Sequence, residues 1–196
     1  MRHTRTTPPT VLPVGLDEVK RRLDGYTGTD LNESIAEQIR IASEYLEDYL
    51  WRSFITTTWT LVVDGGFPAV IPLPRPPFIA LTSISYVDQD GDTVVMTSAD
   101  YRIRYRHDVA LLAAPYNGSW PITRYDADVI TVVYTAGYGT GRTNVPMGIR
   151  NAVAILAADY VRSQWSGCYG EDAIPQAVKD LVAPYKVHDH AVLQCL

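Results

Sequence analysis

Apolar positions fall at helical spacing in both terminal thirds of the chain, while the middle third alternates large and small or polar residues as strands do. Leu16, Val19 and Leu23 follow Pro13 and stop at Asp24-Gly25, which predicts a short helix over 14–24. Asp30 followed by Glu33 has the form of a capping box, and Leu31, Ile35, Ile39, Ala42, Leu46 and Tyr49 then recur in steps of three or four. The helix predicted over 30–51 is roughly 30 Å long at about 1.5 Å per residue. Its opposite face carries Glu33, Glu37, Arg40, Glu44, Glu47 and Asp48, the pattern of a solvated or partner-facing surface rather than a catalytic array.

From Ile55 the period changes. ITTTWTLVV over 55–63 suits a strand ended by Gly65-Gly66 and Pro68, and further strands are expected near 81–87, 93–96, 101–105, 109–113 and 129–135. Asp90-Gly91 offers a type I′ turn between the second and third of these. The stretch 54–136 is therefore expected to be an antiparallel sheet or small barrel. Its Pro-rich connection, PLPRPPF at 72–78, lacks ladder donors at Pro74, Pro76 and Pro77 and is expected to be stiff and exposed. It would serve either as a contact for another chain or as a rigid connector.

Helix returns over 146–165, with Pro146 suited to the first turn and a broad apolar face of Ile149, Val153, Leu156, Ala157, Tyr160 and Val161. Pro175 begins a last short helix over 175–183 in which Val178, Leu181 and Val182 face inward before Pro184. The tail 186–196 mixes His188 and His190 with Val187, Val192, Leu193, Cys195 and Leu196, and is expected to fold back or dock on something else.

Composition narrows the function. The chain has 196 residues, 46% of them hydrophobic, enough for one sizeable core or a core with a satellite layer. A formal charge of -5, from 17 Lys and Arg against 22 Asp and Glu, argues against a protein that owes its affinity to neutralising phosphates. Two cysteines, Cys168 and Cys195, make no disulfide framework, so free thiols and synthesis in a reducing cytoplasm are the expectation. MRHTRTTPPT at 1–10 has no apolar run behind its basic residues and reads as a flexible arm. No segment approaches the roughly 20 apolar residues of a membrane helix.

Candidate chemistry fails residue by residue. Gly137, Gly139 and Gly141 lie between a strand and a helix, as in a phosphate loop, but Arg142 stands where Lys followed by Ser or Thr is required. Positive backbone φ is the simpler reason for glycine here. His188-x-His190 with Cys195 lacks a second ligand pair at zinc spacing, and Cys168 lacks the context of a Cys-His nucleophile. Counting a calcium loop from Asp88 puts Thr93 where Gly, and Ala99 where Glu, would be needed. A shallow hydrolase site near His107, Tyr116 and Trp120 has no nucleophile, base and orienting group in series. No cofactor, metal or catalytic residue is expected.

The order of segments is more informative than any motif. VGLDEVKRRL, then ESIAEQIRIASEYLEDYLWRSFITTTWTLVVDGGFP, then IPLPRPPFIALTSISYVDQDGD, then YTAGYGTG leading into VPMGIRNAVAILAADYVR resemble the head-tail connector (adaptor, head-completion) family of long-tailed phages and phage-like gene transfer particles, over residues 11–185. The LPRPP loop before a Tyr-x-Asp-x-Asp-Gly hairpin, and Ala-Gly-Tyr-Gly before a Val-Pro helix, carry most of that resemblance.

The resemblance implies an α+β fold, a bundle of about four helices with the β-rich stretch inserted. It also implies a non-enzymatic virion protein at the head-tail junction: a homo-oligomeric ring, usually a dodecamer. The ring would contact the portal protein on one side and a stopper or tail terminator on the other, with DNA passing through its lumen unbound. On that reading Glu37, Arg40, Glu44 and Glu47 with Arg75, Pro76 and Phe78 are the candidate subunit contacts. The tail from Lys186 lies outside the resemblance, and its apolar content after the last helix makes Val187, His188, Val192, Leu193 and Leu196 the candidates for docking on the portal. A different tail-completion or chaperone-like binding module is the alternative.

Overall fold

The computed structural model describes residues 1–24, 26–166 and 174–187. The chain divides into two compact units, each built from separated pieces of sequence. Among the described residues, Met1–Pro8 and Thr56–Gly137 form a β unit, and Pro9–Ile55 and Tyr138–Val187 form a helical unit. The whole is α+β, with four α-helices and eight strands among the described residues, in two open antiparallel sheets rather than a closed barrel.

In the helical unit α1 spans Leu16–Lys20, α2 Asn32–Leu50, α3 Met147–Ser166 and α4 Gln176–Val182. The helical period is the cause of the packing: Ile35, Ile39, Ala42, Leu46 and Leu50 of α2 are buried against α3. Because α3 meets α1, α2 and α4, it buries residues around most of its circumference, including Ile149, Ala152, Val153, Ala154, Leu156, Ala157, Ala158 and Val161. Arg150 of α3 reaches the Glu18 carboxylate of α1 at 2.7 Å.

Three helix boundaries differ from the expectation. The first helix is only five residues long, because turns over 21–24 replace its second half. The capping box at Asp30 does not form. Leu31 occupies the N-cap with no side-chain bond, and Asp30 instead accepts a hydrogen bond from the Tyr26 hydroxyl. Pro146 precedes α3 rather than entering it, its carbonyl accepting the Arg150 N–H at 3.0 Å. At its other end α2 closes on Trp51 with φ 59°, a left-handed residue, and Arg52 N–H returns to the Glu47 carbonyl at 3.0 Å.

In the β unit the strands are β1 (Arg2–Thr7), β2 (Thr57–Val63), β3 (Val70–Leu73), β4 (Phe78–Val87), β5 (Thr93–Val95), β6 (Arg102–Arg106), β7 (Val109–Ala113) and β8 (Ile130–Ala136). One sheet runs β1-β2-β8-β4-β5 and the other β3-β7-β6. In β2 and β8 alternate residues are buried, Thr57, Trp59, Leu61 and Val63 on one and Ile130, Val132, Tyr134 and Ala136 on the other. All of these but Thr57 meet Ile71, Leu73, Ala110 and Leu112 of the second sheet in one apolar cluster.

The flexible arm expected at 1–10 is instead a strand over 2–7: β1 adds to β2 with Arg2 opposite Val62 and Arg5 opposite Trp59, and Arg2 pairs with Asp128 at 3.3 Å. The β4–β5 connection is not the two-residue type I′ turn. Asp88 Oδ1 accepts the N–H groups of Asp90, Gly91 and Asp92, and of residues 88–92 only Gly91 takes positive φ, at 97°. An aspartate that caps its own turn lets the chain spread over five residues instead of two.

Candidate interaction surfaces

The long exposed face of α2 is the first surface the sequence singled out. Glu33, Glu37, Arg40, Glu44 and Asp48 are exposed along it, and Ile41 and Tyr45 remain 44% and 39% accessible among them. Four carboxylates and one guanidinium around two large apolar side chains make an acidic stripe with an uncovered apolar centre.

Glu47 does not belong to that stripe. It is buried, and its Oε1 accepts the Phe54 backbone N–H at 2.6 Å, so it holds the turn after α2 from inside the unit. The helical wheel put it on the polar side, yet the chain folds back over that position. A carboxylate seven residues before an apolar segment gives no sequence signal of this kind.

The Pro-rich connection also turns inward. Pro72, Pro74 and Pro76 are buried, with Pro72 inside β3, so the exposed loop expected at 72–78 is largely an internal strut. The Tyr134 hydroxyl donates to the Pro74 carbonyl at 2.8 Å, the Arg75 guanidinium lies 5.3 Å from the Trp59 ring centre, and Phe78 stacks on Tyr134 at 6.5 Å. Gly137 N–H donates to the Pro77 carbonyl at 2.8 Å. Prolines without donors suit a segment whose neighbours bond to its carbonyls instead. Arg75 and Phe78 are half-buried, and Pro76 is closed off as a contact for another chain.

Of the tail residues, Val187 is buried and its N–H donates to the Leu50 carbonyl at 3.2 Å, satisfying an orphan acceptor at the end of α2. Val187 is thus a core residue of the helical unit rather than a docking residue. Lys186 beside it sets its ammonium 4.1 Å from the Tyr49 ring centre. His188, Val192, Leu193 and Leu196 lie outside the described residues.

The passage 137–144 uses its amides internally. Gly137 N–H is bonded as above, Tyr138 N–H donates to Phe54 O at 3.1 Å, and Gly141 N–H donates to Asn144 Oδ1 at 3.1 Å. A phosphate loop needs such donors aimed at an anion. Gly137 and Gly139 take φ of 137° and 152°, the conformation that requires glycine, whereas Gly141 at -108° does not.

The region around Trp120 forms a groove of about 420 Å³ lined in part by Tyr86, Val94, Met96, Asp100, Trp120 and Ile122. Trp120 stacks on Phe67 at 4.6 Å and Tyr86 meets Phe67 edge-on at 5.7 Å. Asp100 is occupied by the Thr97 hydroxyl and N–H, both at 2.7 Å, which hold its carboxyl below the usual carboxylate range. His107 sits on the β6–β7 turn and does not line the groove, so the His107, Tyr116 and Trp120 of the hydrolase reading are not brought together around it. Among the described residues no three His, Cys, Asp or Glu side chains cluster as metal ligands, and no helix is long and apolar enough to cross a membrane. Cys168, His190 and Cys195 lie outside the described residues.

No family model matches the chain. No curated protein matches it either. Solved structures do. A chain in the neck of an empty gene transfer agent particle, computed with C6 symmetry, superimposes with a TM-score of 0.78 at 20% identity, covering 95% of this chain and 96% of that one. A chain in the neck of the native particle, computed with C12 symmetry, gives 0.75 at 21% identity over the same shares. A chain in the virion of a native gene transfer agent particle gives 0.79 at 20% identity, again over 95% and 96%. Over 95% of its length, the chain has the fold of a protein found in the neck of a gene transfer agent particle.

Proposed function

We propose that this protein is a head-tail adaptor: a structural, non-enzymatic subunit of a ring in the neck of a phage-like particle, between the portal protein and a tail-side stopper or terminator. The carrying observation is the correspondence of fold over 95% of this chain and 96% of the matched chain in necks computed with C6 and C12 symmetry. Twelve copies is the expected ring size, which the C12 symmetry of one matched neck supports.

A closed ring repeats one heterologous contact, so each subunit needs two different faces. The exposed stripe of α2 is one such face. DNA would pass along the ring axis, and a chain of net charge -5 suits a passage that should not retain it. The portal contact is assigned to residues 188–196, since Val187 is already committed to the core.

Imaging of particles assembled with this protein tests the reading. A ring of this chain at the head-tail junction is expected, and truncation after Val187 should leave heads without attached necks. A neck that assembles fully without this chain would refute the assignment.

A further inference from the structure

β6 concentrates basic charge in a chain that is otherwise acidic. Its sequence is RIRYR, and Arg102, Arg104 and Arg106 alternate with Ile103 and Tyr105, so the three guanidinium stems leave one side of the strand. All three arginines are exposed. Among the described residues β6 pairs only with β7, and so stands at an edge of the three-stranded sheet. Tyr116, 81% accessible, extends the patch, with its ring centre 5.9 Å from the Arg102 guanidinium carbon. Charged side chains on an edge strand discourage addition of another strand. A partner is therefore met by the arginine heads and not by the backbone ladder.

The complementary pattern lies on α2 of the same sequence. Glu33 and Glu37, then Glu44 and Asp48, stand four residues apart on its exposed face. Four residues of helix advance about 6 Å along the axis. Arginines two apart on a strand advance about 6.7 Å, so the two stripes share a spacing. Ile41 and Tyr45 in the midst of the acidic stripe are apolar surface that a partner would cover.

Resting on the ring reading above, we propose that these are the two halves of the subunit contact: the acidic α2 face of one copy docks on the arginine strip of β6 in the next. Each copy then presents both halves, and closing the ring leaves neither exposed. Duplex DNA is the competing occupant of the arginine strip. It is disfavoured because three arginines make a small phosphate footprint and because DNA would leave the Ile41 and Tyr45 surface uncovered.

Two variants of the full chain test the contact. One reverses the acidic face, Glu37→Arg with Glu44→Arg; the other reverses the basic face, Arg102→Glu with Arg104→Glu. Sedimentation of the purified proteins is followed from micromolar to millimolar concentration at about 50 mM salt, where screening is weaker than at physiological strength. The wild-type chain is expected to self-associate, more weakly as salt rises, and each variant alone to associate at least about tenfold more weakly.

An equimolar mixture of the two should recover association, because every interface in an alternating ring then pairs opposite charges. A chain carrying all four changes should recover it alone. Recovery on mixing also rules out misfolding as the cause of the losses. A wild-type chain monomeric throughout, variants that associate like wild type, or a mixture that fails to recover would overturn the contact. So would a basic-face variant that loses only its retention on duplex DNA. If imaging still finds a ring of this chain in the neck, those failures remove this contact and leave the neck reading intact.

Discussion

Replacing Glu47 by alanine separates an internal carboxylate from the exposed ones that share its helix. In the folded chain Glu47 is 4% accessible and accepts the Phe54 N–H at 2.6 Å, while Phe54 itself is 1% accessible. Water cannot take the place of the lost oxygen, and leaving a buried donor unpaired costs about 1–3 kcal/mol. The void left by the carboxymethyl group adds about 1 kcal/mol. A total of about 2–4 kcal/mol corresponds, in a chain of this size, to a fall of about 5–12 °C in the melting temperature.

The assay is thermal unfolding followed by far-UV ellipticity, with Glu37→Ala as the control. Exposed Glu37 should change stability by no more than about 0.5 kcal/mol. Glu47→Gln, which keeps a carbonyl acceptor, should recover part of the loss. If Glu47→Ala melted within about 1 °C of Glu37→Ala, the internal role assigned to this carboxylate would be wrong.

Tyr134→Phe removes the donor to the Pro74 carbonyl and should cost about 1–2 kcal/mol in urea unfolding, whereas an unchanged midpoint would mean that the Pro-rich strut does not depend on that bond. Gly139→Ala places a Cβ 2.6 Å from the Asn144 side chain at a φ of 152°, and should destabilise by about 1–3 kcal/mol. Adding Asn144→Ala should restore little, because the Cβ of residue 144, 2.7 Å from the new methyl, remains and the acceptor of the Gly141 N–H is lost, and full restoration would argue that neither backbone strain nor that contact is the cause.

Stability should also depend on pH at both ends. Burial pushes the Glu18 carboxyl up, but the bonds from Arg150 and Gly15 N–H and the Arg150 charge together hold it below its ordinary value. Its contribution is therefore present above the unfolded carboxylate pKa and is lost as pH falls through the depressed value, a loss that Glu18→Gln should flatten. Burial raises the Tyr134 phenol, so its contribution is present below the ordinary tyrosine pKa and declines as pH rises beyond it. In a Tyr134→Phe series measured from neutral to alkaline pH, that decline should shrink, and an identical slope would count against the assignment.

What the sequence made legible follows from how much one periodicity can encode. α2 and α3 declare themselves because one face of each must be apolar over many turns, and β2 and β8 because both are half-buried on a fixed alternation. β1 was illegible for a physical reason: RHTRTT is an edge strand whose partner, β2, is about fifty residues away, and no apolar alternation is needed where neither face is deeply buried. The Pro-rich loop reads as exposed because proline-rich text usually is. Its burial depends on donors from Tyr134 and Gly137, which only the tertiary fold supplies.

The candidate surfaces divide in the same way. The α2 stripe was readable from its wheel. The burial of Glu47 and Val187 has no such signal, because a wheel or a hydropathy pattern does not show which polar position the chain folds back over, or which apolar residue after a helix completes a core. The arginine strip of β6 was in plain view, but isolated charges on a strand carry no meaning until the sheet order makes that strand an edge.

The β unit leaves and rejoins the helical unit through adjacent strands, since Thr57 stands opposite Ala136 in the β2–β8 ladder. Holding the ends of an unstructured segment as long as 56–137 together costs about 4 kcal/mol in chain entropy. Here the ladder itself holds them, and Tyr138 N–H then bonds to the Phe54 carbonyl at 3.1 Å just inside the helical unit. A sheet that forms before the helices dock would shorten the search by which α2 and α3 find one another. Any inserted element whose two ends emerge side by side would meet the same closure requirement.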